Sequence, residues 1–462
     1  RRRGTRINPA GRPPPAAGLA AGPGVVPPRP PGGPTTLGLV FVMYFQVSGG
    51  PLTLEGLVAQ AGPGMALFVL AVLPLTWAVP EALLIGELAS MLPEEGGYYA
   101  WVKRAFGPFW AFQNAWITWC YSLVDMAIYP LLFTQALAWF VPGIDGPVRW
   151  MAALAMIWGA TLLNLRGVRL VGGAATAIGV FVIAAFLVLA AVALPQATHA
   201  PWAPFTVPGA SALGGLGVGL SLALWSFIGW DNASTVLGEV RDAGRTYPRA
   251  LAIAVPLVAG VYFATLLPAL AASDWTTWRE GGWPDIARGL SGPVLATWVA
   301  LAGMASPFAF FMSYLLTYSR IPMVVAEDGL LPRAIAVTDA RGTPRRAVLA
   351  AAVVYSAFAL VPLGSLVVAD VLLYATAVGL EFAALVALRR REPRLRGAFR
   401  VPTGTAGVVA LALLPLATIS VVIALAVRDG ELGAPAVLAG VGAIALGPVA
   451  WRVCARRPPF AG

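Results

Sequence analysis

An aspartate and a tryptophan stand side by side in the middle of an apolar segment. The run Ile228-Gly229-Trp230-Asp231-Asn232 interrupts hydrophobic residues that are numerous enough to cross a membrane. An aromatic face beside a carboxylate suits an ammonium group, because the ring supplies cation–π attraction and the acid supplies charge. A carboxylate at the centre of a membrane helix costs about 2.5 to 3.5 kcal/mol on insertion scales, which indicates a function for Asp231. Taken singly, a tryptophan in the middle of a span is more often a packing residue.

A second interruption, Val47-Ser48-Gly49-Gly50-Pro51, lies in the first apolar segment. Lipid offers no hydrogen bonds, so backbone freed at that depth must be satisfied by protein, water or a ligand. Pro51 suits a helix start, and the free amides of the restarting half-helix could hold a substrate carboxylate. Glu55 lies about one turn further on and would oppose a second anion. We therefore expect Glu55 to bind an amine; the alternatives are a packing kink and a Glu55 exposed at the outer rim.

Further acids occur within apolar segments, and no Lys or Arg lies clearly within a segment core. Protons, metal cations or a cationic substrate must then offset the buried charge. Glu81 and Asp125 are secondary candidates for substrate binding or proton coupling. The structural alternatives are that Glu81 accepts hydrogen bonds from backbone disrupted by proline and that Asp125 lines a solvated vestibule. Asp370 is expected at the outer interface, and Glu381 is expected to bridge helices.

Composition identifies an integral membrane protein. Apolar residues make up 58% of the chain and charged residues 11%, against about 25% charged in soluble domains. Two cysteines give neither a disulfide framework nor a CxxC metal site, and no GxxxxGK[ST] sequence is present. No enzyme activity, metal or other cofactor, or nucleic-acid partner is expected. The single histidine lies in a loop and cannot relay protons within the membrane. The buried carboxylates therefore favour the proton as the coupling ion, while Ser306 and Ser313 keep sodium possible.

About twelve apolar runs are long enough to cross a bilayer. They lie near residues 35–60, 64–91, 108–140, 150–165, 170–194, 212–238, 249–272, 293–319, 347–363, 366–388, 405–427 and 433–452. With a cytoplasmic N-terminus, 27 of the 31 basic residues fall in inner loops and tails. This partition predicts a multi-pass protein of the cell membrane with both termini in the cytoplasm.

The two interruptions lie five segments apart, in the first and the sixth run. An odd number of spans inverts the second group of five relative to the first, as in transporters built from inverted repeats. We therefore predict an all-α fold of about twelve transmembrane helices with a 5+5 inverted repeat and discontinuous helices 1 and 6. The predicted units are a disordered basic, proline-rich tail (1–34), repeat 1 (35–194), repeat 2 (195–388), and helices 11 and 12 with the cytoplasmic C-terminus (389–462).

Several short motifs resemble the amino acid, polyamine and organocation superfamily, and within it the plant-type polyamine uptake transporters of the L-type amino acid transporter group. They occur in order along residues 35–452: Val47-Ser48-Gly49-Gly50-Pro51 with Glu55, Pro80-Glu81-Ala82-Leu83, Pro93-Glu94-Glu95-Gly96-Gly97-Tyr98, Asp125-Met126-Ala127-Ile128-Tyr129-Pro130, Asn164-Leu165-Arg166-Gly167, and Trp230-Asp231-Asn232-Ala233-Ser234-Thr235 through Gly238-Glu239-Val240.

The resemblance implies a LeuT-type fold and proton-coupled uptake of polyamines such as putrescine and spermidine. It also implies substrate contacts at both breaks, namely Ser48, Gly49, Gly50, Gly229, Trp230 and Asp231. One position departs from the pattern, because a glutamate commonly stands in plant members where this chain has Gln46. That departure leaves ordinary amino acids open as substrates.

The predicted function is secondary active uptake of a small cationic amine. A neutral or cationic amino-acid permease or exchanger is the alternative within the same class. An amine-sensing membrane receptor would share the site but would not need inverted repeats. The bilayer and the small solute are the expected partners, and the sequence assigns no oligomeric state.

Overall fold

The structure is a computed structural model that describes residues 33–359, 367–428 and 434–455. Within these residues the chain is helical and contains no strand. The α-helices are α1 Thr36–Val47, α2 Leu54–Ala61, α3 Pro63–Leu73, α4 Val79–Met91, α5 Tyr98–Phe106, α6 Pro108–Leu137, α7 Gly146–Asn164, α8 Val168–Ala193, α9 Ala212–Leu224, α10 Ala243–Ala272, α11 Trp283–Ser291, α12 Pro293–Tyr318, α13 Arg320–Glu327, α14 Arg345–Phe358, α15 Val367–Arg391, α16 Thr405–Arg428 and α17 Ala434–Ala455.

Nine helical segments in the described ranges are long and apolar enough to cross a membrane. Two more of the twelve predicted spans are the interrupted ones, whose apolar helices Thr36–Val47 and Ala212–Leu224 are shorter. The predicted span 347–363 corresponds to α14, and its last residues lie outside the described ranges. Of the predicted tail, only residues 33 and 34 are described. The all-helical membrane fold is therefore confirmed.

The first interruption falls where it was predicted. Helix α1 ends at Val47 and α2 begins at Leu54, so the intervening residues are not helical. Gly49 and Gly50 have φ of 59° and 108°, values that favour glycine because a Cβ would clash with the backbone. Helix α1 packs against α8, α10 and α12, which places the interruption inside the bundle.

The second interruption is longer than the sequence pattern suggests. Helix α9 ends at Leu224, and a 3₁₀-helix, Asn232–Glu239, replaces the α-helix that could have resumed. Gly229 between them has φ of 107°. A Cβ there would lie 2.4 Å from the carbonyl oxygen of Gln46 and 2.8 Å from the hydroxyl of Tyr314. The two interruptions therefore touch, and only glycine permits the contact.

The second membrane segment contains a wider turn. A five-residue π-helix, Pro74–Ala78, joins α3 to α4 within one continuous segment, Pro63–Met91. Such π-turns are rare and frequently occur at functional sites. Glu81 lies in the first turn of α4, directly after this feature.

One end of the bundle carries Lys103, Arg104, Arg320 and the arginines of residues 389–400, several of which form ion pairs there; we call it the arginine-rich end. Arg389 pairs with Glu87 at 2.5 Å, and Arg320 pairs with Glu239 at 2.7 Å; both pairs are buried. The expectation that buried acids have no fixed cationic partner is therefore wrong for Glu87 and Glu239. Within the described residues, it holds for the buried acids that lie further from this end of the bundle. At the opposite end, α11 and the loop before it cover α2 and the outer parts of α6 and α12.

Candidate functional site

A cavity of about 530 Å³ lies at the end of the bundle opposite the arginine-rich end, and we call it the vestibule. Both interruptions contribute to its wall. Its lining includes Ser48 and Trp225 at the interruptions, Glu55 on α2, and Ser306 and Phe310 on α12. A solute entering from this end would therefore reach residues of both broken helices.

Glu55 is buried in the vestibule wall, with only 1% of its surface exposed. Its Oε1 accepts a hydrogen bond from the backbone amide of Gly281 at 2.8 Å. Its Oε2 is buried and has no hydrogen-bond partner among the described residues. The alternative of an exposed Glu55 at the rim is thus wrong, and one carboxylate oxygen is available for a donor.

Stacked aromatic rings continue from the vestibule into the bundle, and we call them the aromatic column. Phe310 and Tyr129 stack at 4.8 Å, and Tyr314 and Tyr318 stack at 4.9 Å. Trp225 stacks on Phe310 at 6.2 Å. Phe310, Tyr314 and Tyr318 share one face of α12 because they are spaced four residues apart. The column begins at the vestibule and ends beside an acid.

That acid is Asp125. The hydroxyl of Tyr318 donates a hydrogen bond to Asp125 Oδ2 at 2.8 Å. Asp125 is 5% exposed and does not line the vestibule, so its alternative role there is wrong. Asp370 lies in the first turn of α15, at the end of that helix away from its arginines, but it is buried and therefore does not reach solvent there.

A second buried acidic site is built around the hydroxyl of Tyr374 on α15. This oxygen lies 2.8 Å from Asp231 Oδ1 and 2.6 Å from Glu81 Oε1. It also accepts a hydrogen bond from the backbone amide of Gly229 at 2.8 Å. Glu81 is fully buried, and Asp231 is 1% exposed. The interrupted helix, α4 and α15 thus meet at one phenol oxygen.

The hydrogens at this oxygen can be counted. A phenol carries one hydrogen, so Tyr374 can donate to only one of the two carboxylates. Two carboxylate oxygens at hydrogen-bond distance therefore require a second hydrogen, carried by an acid that donates to the phenol. Asp231 Oδ1 already accepts from the amide of Asn232 at 3.3 Å, which favours its ionised form. Of the two acids, Glu81 is therefore the better suited to carry this second hydrogen.

The two acidic sites are connected by tyrosine rings. Tyr121 contacts Tyr374 at a centroid distance of 5.7 Å and Tyr318 at 6.0 Å, both edge to face. Asp231 and Asp125 therefore lie at opposite ends of a three-tyrosine cluster. No arginine or lysine forms an ion pair with either acid among the described residues.

Side chains from other elements satisfy the backbone carbonyls of the first interruption. Ser306 donates to the carbonyl of Gly49 at 2.6 Å, and Trp283 donates to that of Pro51 at 2.8 Å. Tyr314 donates to the carbonyl of Gln46. The freed polar groups thus meet the requirement that protein satisfies backbone at this depth. Helix α12 supplies two of these donors, so it positions both the interruption and the aromatic column.

Comparison with known proteins identifies the family to which this chain belongs. Residues 35–444 match the model of a family described as amino acid permease. The chain belongs to this amino acid permease family. The permease is 36% identical over 414 residues to polyamine transporter PUT1 of Oryza sativa subsp. japonica, covering 89% of this chain and 76% of that protein. It is 34% identical over 395 residues to polyamine transporter RMV1 of Arabidopsis thaliana, covering 84% and 80%. The resemblance to the amino acid, polyamine and organocation superfamily is confirmed.

The permease brings some predicted site residues together and keeps others apart. Asp231 meets Glu81 through Tyr374, whereas Glu55 and Ser48 line the vestibule. Gly49, Gly50 and Gly229 shape the interruptions through their positive φ. Trp230 is fully buried, and its indole nitrogen has no hydrogen-bond partner among the described residues. The roles of these residues in substrate binding stay predictions.

Sequence reasoning missed the tyrosines that organise the permease site. Tyr374 lies 143 residues from Asp231 and 293 residues from Glu81, so no local pattern could join them. The aromatic column did leave a signal in the four-residue spacing of Phe310, Tyr314 and Tyr318. That spacing alone is also typical of ordinary packing in an apolar helix.

Proposed function

We propose that this permease is a secondary active transporter that takes up a small cationic amine together with protons. The observation that carries the proposal is the phenol of Tyr374 between Asp231 and Glu81. Two carboxyl groups with one acidic proton between them form a proton site. The other carboxylate has no basic partner in the described part of the chain and therefore attracts a cation. The coupling ion is the proton, carried by Glu81.

Polyamines such as putrescine and spermidine fit the chemistry of this region. Each has cationic amines separated by methylene groups. Asp231 and Asp125 supply an acid at either end of the tyrosine cluster, and the ring faces attract ammonium groups and contact methylenes. The names of the relatives, polyamine transporters, support the same substrate class. Glu55 in the vestibule wall would receive the amine first.

Alternating access is the proposed mechanism, with residues 35–194 and 195–388 as the two inverted repeats. The vestibule gives access from one end of the bundle. At the arginine-rich end, the loop at residues 92–97 packs on the 3₁₀-helix of the second interruption. The amide of Gly96 donates to the carbonyl of Thr235 at 2.9 Å, and that of Tyr98 donates to Ser234 Oγ at 3.3 Å. Direct contacts therefore hold this loop against the second interruption, and we propose that they close the arginine-rich end.

Orientation follows from charge. Basic loops favour the cytoplasmic side, which supports an orientation with the arginine-rich end and both termini inside the cell and the vestibule outside. The proposed location is the plasma membrane. In this orientation the vestibule receives solute from outside, as uptake requires.

An amino-acid permease or exchanger is the second candidate, and Gln46 is the observation that favours it. Gln46 is buried beside the first interruption, and its amide donates to Thr317 Oγ1 at 2.9 Å. It supplies no charge for a second ammonium. A neutral amino acid has a single ammonium group, on its α-carbon, whereas a polyamine has at least two. The amino acid would therefore need fewer acidic residues for binding.

Uptake by purified permease in lipid vesicles tests the proposal. Labelled spermidine, putrescine, arginine and leucine are offered with and without an inward proton gradient. We expect polyamine uptake that the gradient accelerates. Uptake of leucine with exclusion of spermidine would establish the amino-acid permease instead, and binding of amine without any uptake would indicate a sensor.

Asp231→Asn gives the residue-level test. It removes the charge at the second interruption and is expected to abolish amine binding. Asp242→Asn is the matched control, because Asp242 is a well-exposed acid in a left-handed conformation that asparagine adopts readily. Equal binding by the two variants would remove Asp231 from the substrate site.

A further inference from the structure

An apolar groove runs along the outer surface between α15 and α16, away from the vestibule. It has a volume of about 450 Å³. Apart from two arginines, every lining residue is apolar or glycine; the side chains include Phe106, Phe382, Val386, Val409, Leu413 and Leu416. Leu413 is 56% exposed, so the groove is accessible from the side of the bundle. Its walls are two helices of membrane-spanning length, which makes bilayer lipid its surroundings.

The two arginines, Arg390 and Arg391, close the groove at the arginine-rich end. Their neighbours are already paired, because Arg389 bonds Glu87 and Arg104 bonds Glu392. Arg391 donates one hydrogen bond, from Nη1 to the carbonyl of Ala105 at 2.8 Å. Arg390 is exposed and forms no hydrogen bond or ion pair within the described residues. Most of their donors therefore remain available.

The surrounding sequence adds positive charge. Residues 389–400 contain six arginines and one glutamate. The single glutamate, Glu392, is occupied by Arg104 at 2.7 Å. A negatively charged group at the groove mouth would thus meet an uncompensated basic surface.

We propose that this groove binds one anionic phospholipid, with an acyl chain between α15 and α16 and the phosphate at Arg390 and Arg391. An apolar channel ending in two cations at the membrane surface matches an amphiphile with an anionic head. Basic pockets between membrane helices on the positively charged side bind such headgroups in this way. Free phosphate would use the arginines alone and leave the apolar wall without an occupant.

The site is independent of the proposed transport reaction, but it shares a helix with it. Helix α15 carries Tyr374 toward the acids and Phe382 toward the groove. Lipid binding can therefore be tested without any transport measurement.

Native mass spectrometry of the purified full chain tests the proposal with defined lipids. Phosphatidylglycerol and phosphatidylcholine with identical acyl chains are titrated, and glycerol 3-phosphate serves as a headgroup without a tail. Each arginine near an anionic group contributes about fivefold in affinity, so we expect phosphatidylglycerol to bind about 30-fold more tightly than phosphatidylcholine. Glycerol 3-phosphate should not compete.

Two variants separate the head and the tail of the site. Arg390→Gln should lower the preference for phosphatidylglycerol about fivefold. Arg394→Gln is the matched control, since Arg394 is exposed in the same stretch but does not line the groove. Ala383→Trp should fill the groove and weaken both lipids.

Three results would overturn the proposal. The first is equal binding of the two lipids, and the second is equal effects of Arg390→Gln and Arg394→Gln. The third is full competition by glycerol 3-phosphate, which would indicate a phosphate site that does not use the groove.

Discussion

Replacing Glu81 by glutamine should separate amine binding from proton coupling. Glutamine has nearly the shape of a protonated glutamate, and its amide can donate to the phenol of Tyr374 as the proposed acid does. The phenol of Tyr374 then continues to donate its hydrogen to Asp231 Oδ1, 2.8 Å away, and Asp231 keeps its charge. The variant therefore retains the hydrogen-bond pattern of the occupied proton site but cannot release the proton.

The magnitude follows from the single additional hydrogen at Tyr374. One proton moved per cycle down a gradient of one pH unit supplies about 1.36 kcal/mol, which is a tenfold accumulation of solute. The unmodified permease should approach this ratio when the membrane potential is held at zero. Glu81→Gln should equilibrate the amine at a ratio of about one. Amine affinity should change by less than about threefold, whereas Asp231→Asn should lose at least 30-fold, because removing one partner of a buried ion pair costs about 2 to 5 kcal/mol.

The assay uses vesicles with equal potassium and valinomycin on both sides, so that only the pH gradient drives accumulation. Spermidine inside is measured at steady state, and spermidine affinity is measured in detergent by calorimetry. Gradient-driven accumulation by Glu81→Gln would refute the assignment of the proton to Glu81. A loss of affinity as large as that of Asp231→Asn would refute the separation of roles.

Three further predictions concern the interruptions and the arginine-rich end. Gly229→Ala should abolish transport, because the new Cβ would lie 2.4 Å from the carbonyl oxygen of Gln46; the protein should still reach the membrane, and normal uptake would contradict the close contact. Arg320→Met should lower stability by about 3 to 5 kcal/mol, since it leaves the carboxylate of Glu239 buried without its partner; thermal unfolding in detergent measures the loss. Burial and then the nearby Glu239 raise the pKa of Glu95 well above its usual range, against the pull of Arg320. The contacts of the loop at residues 92–97 are therefore most stable at low pH and lose stability as pH rises through the raised pKa of Glu95. Hydrogen exchange of the loop amides, corrected for intrinsic rates, should become faster over this pH range. In Glu95→Gln the corrected exchange rates should not depend on pH.

The positions of both interruptions could be predicted because Gly and Pro act locally. Two glycines cost conformational entropy in a helix and the following proline cannot donate a backbone hydrogen bond, and the observed α1 ends at Val47, just before these residues. The greater length of the second interruption was not predictable in the same way. Its 3₁₀-helix is held by long-range contacts, such as the bond from Thr235 Oγ1 to the carbonyl of Thr317 at 3.0 Å.

The partners of the buried acids could not be predicted, because they are far away in the sequence and meet only in the folded protein. Glu87 and Arg389 are 302 residues apart, and their ion pair removes one acid from the set without a cation. Glu81 and Asp231 could be recognised separately as costly buried carboxylates. Their shared phenol could not, because Tyr374 has the same surroundings in sequence as any aromatic residue of an apolar helix.

The π-helix ahead of Glu81 makes the proposed proton site sensitive to how the chain winds and not only to the identity of its side chains. Each residue of an α-helix turns the chain by about 100°, whereas a π-helix spreads one turn over more residues. If Pro74–Ala78 wound as an ordinary α-helix at unchanged length, α4 would therefore be rotated relative to α3. Glu81 would then face away from Tyr374, although every side chain of the site would still be present. The wider turn thus sets the register of an acid more than two hundred residues from its partner on α15.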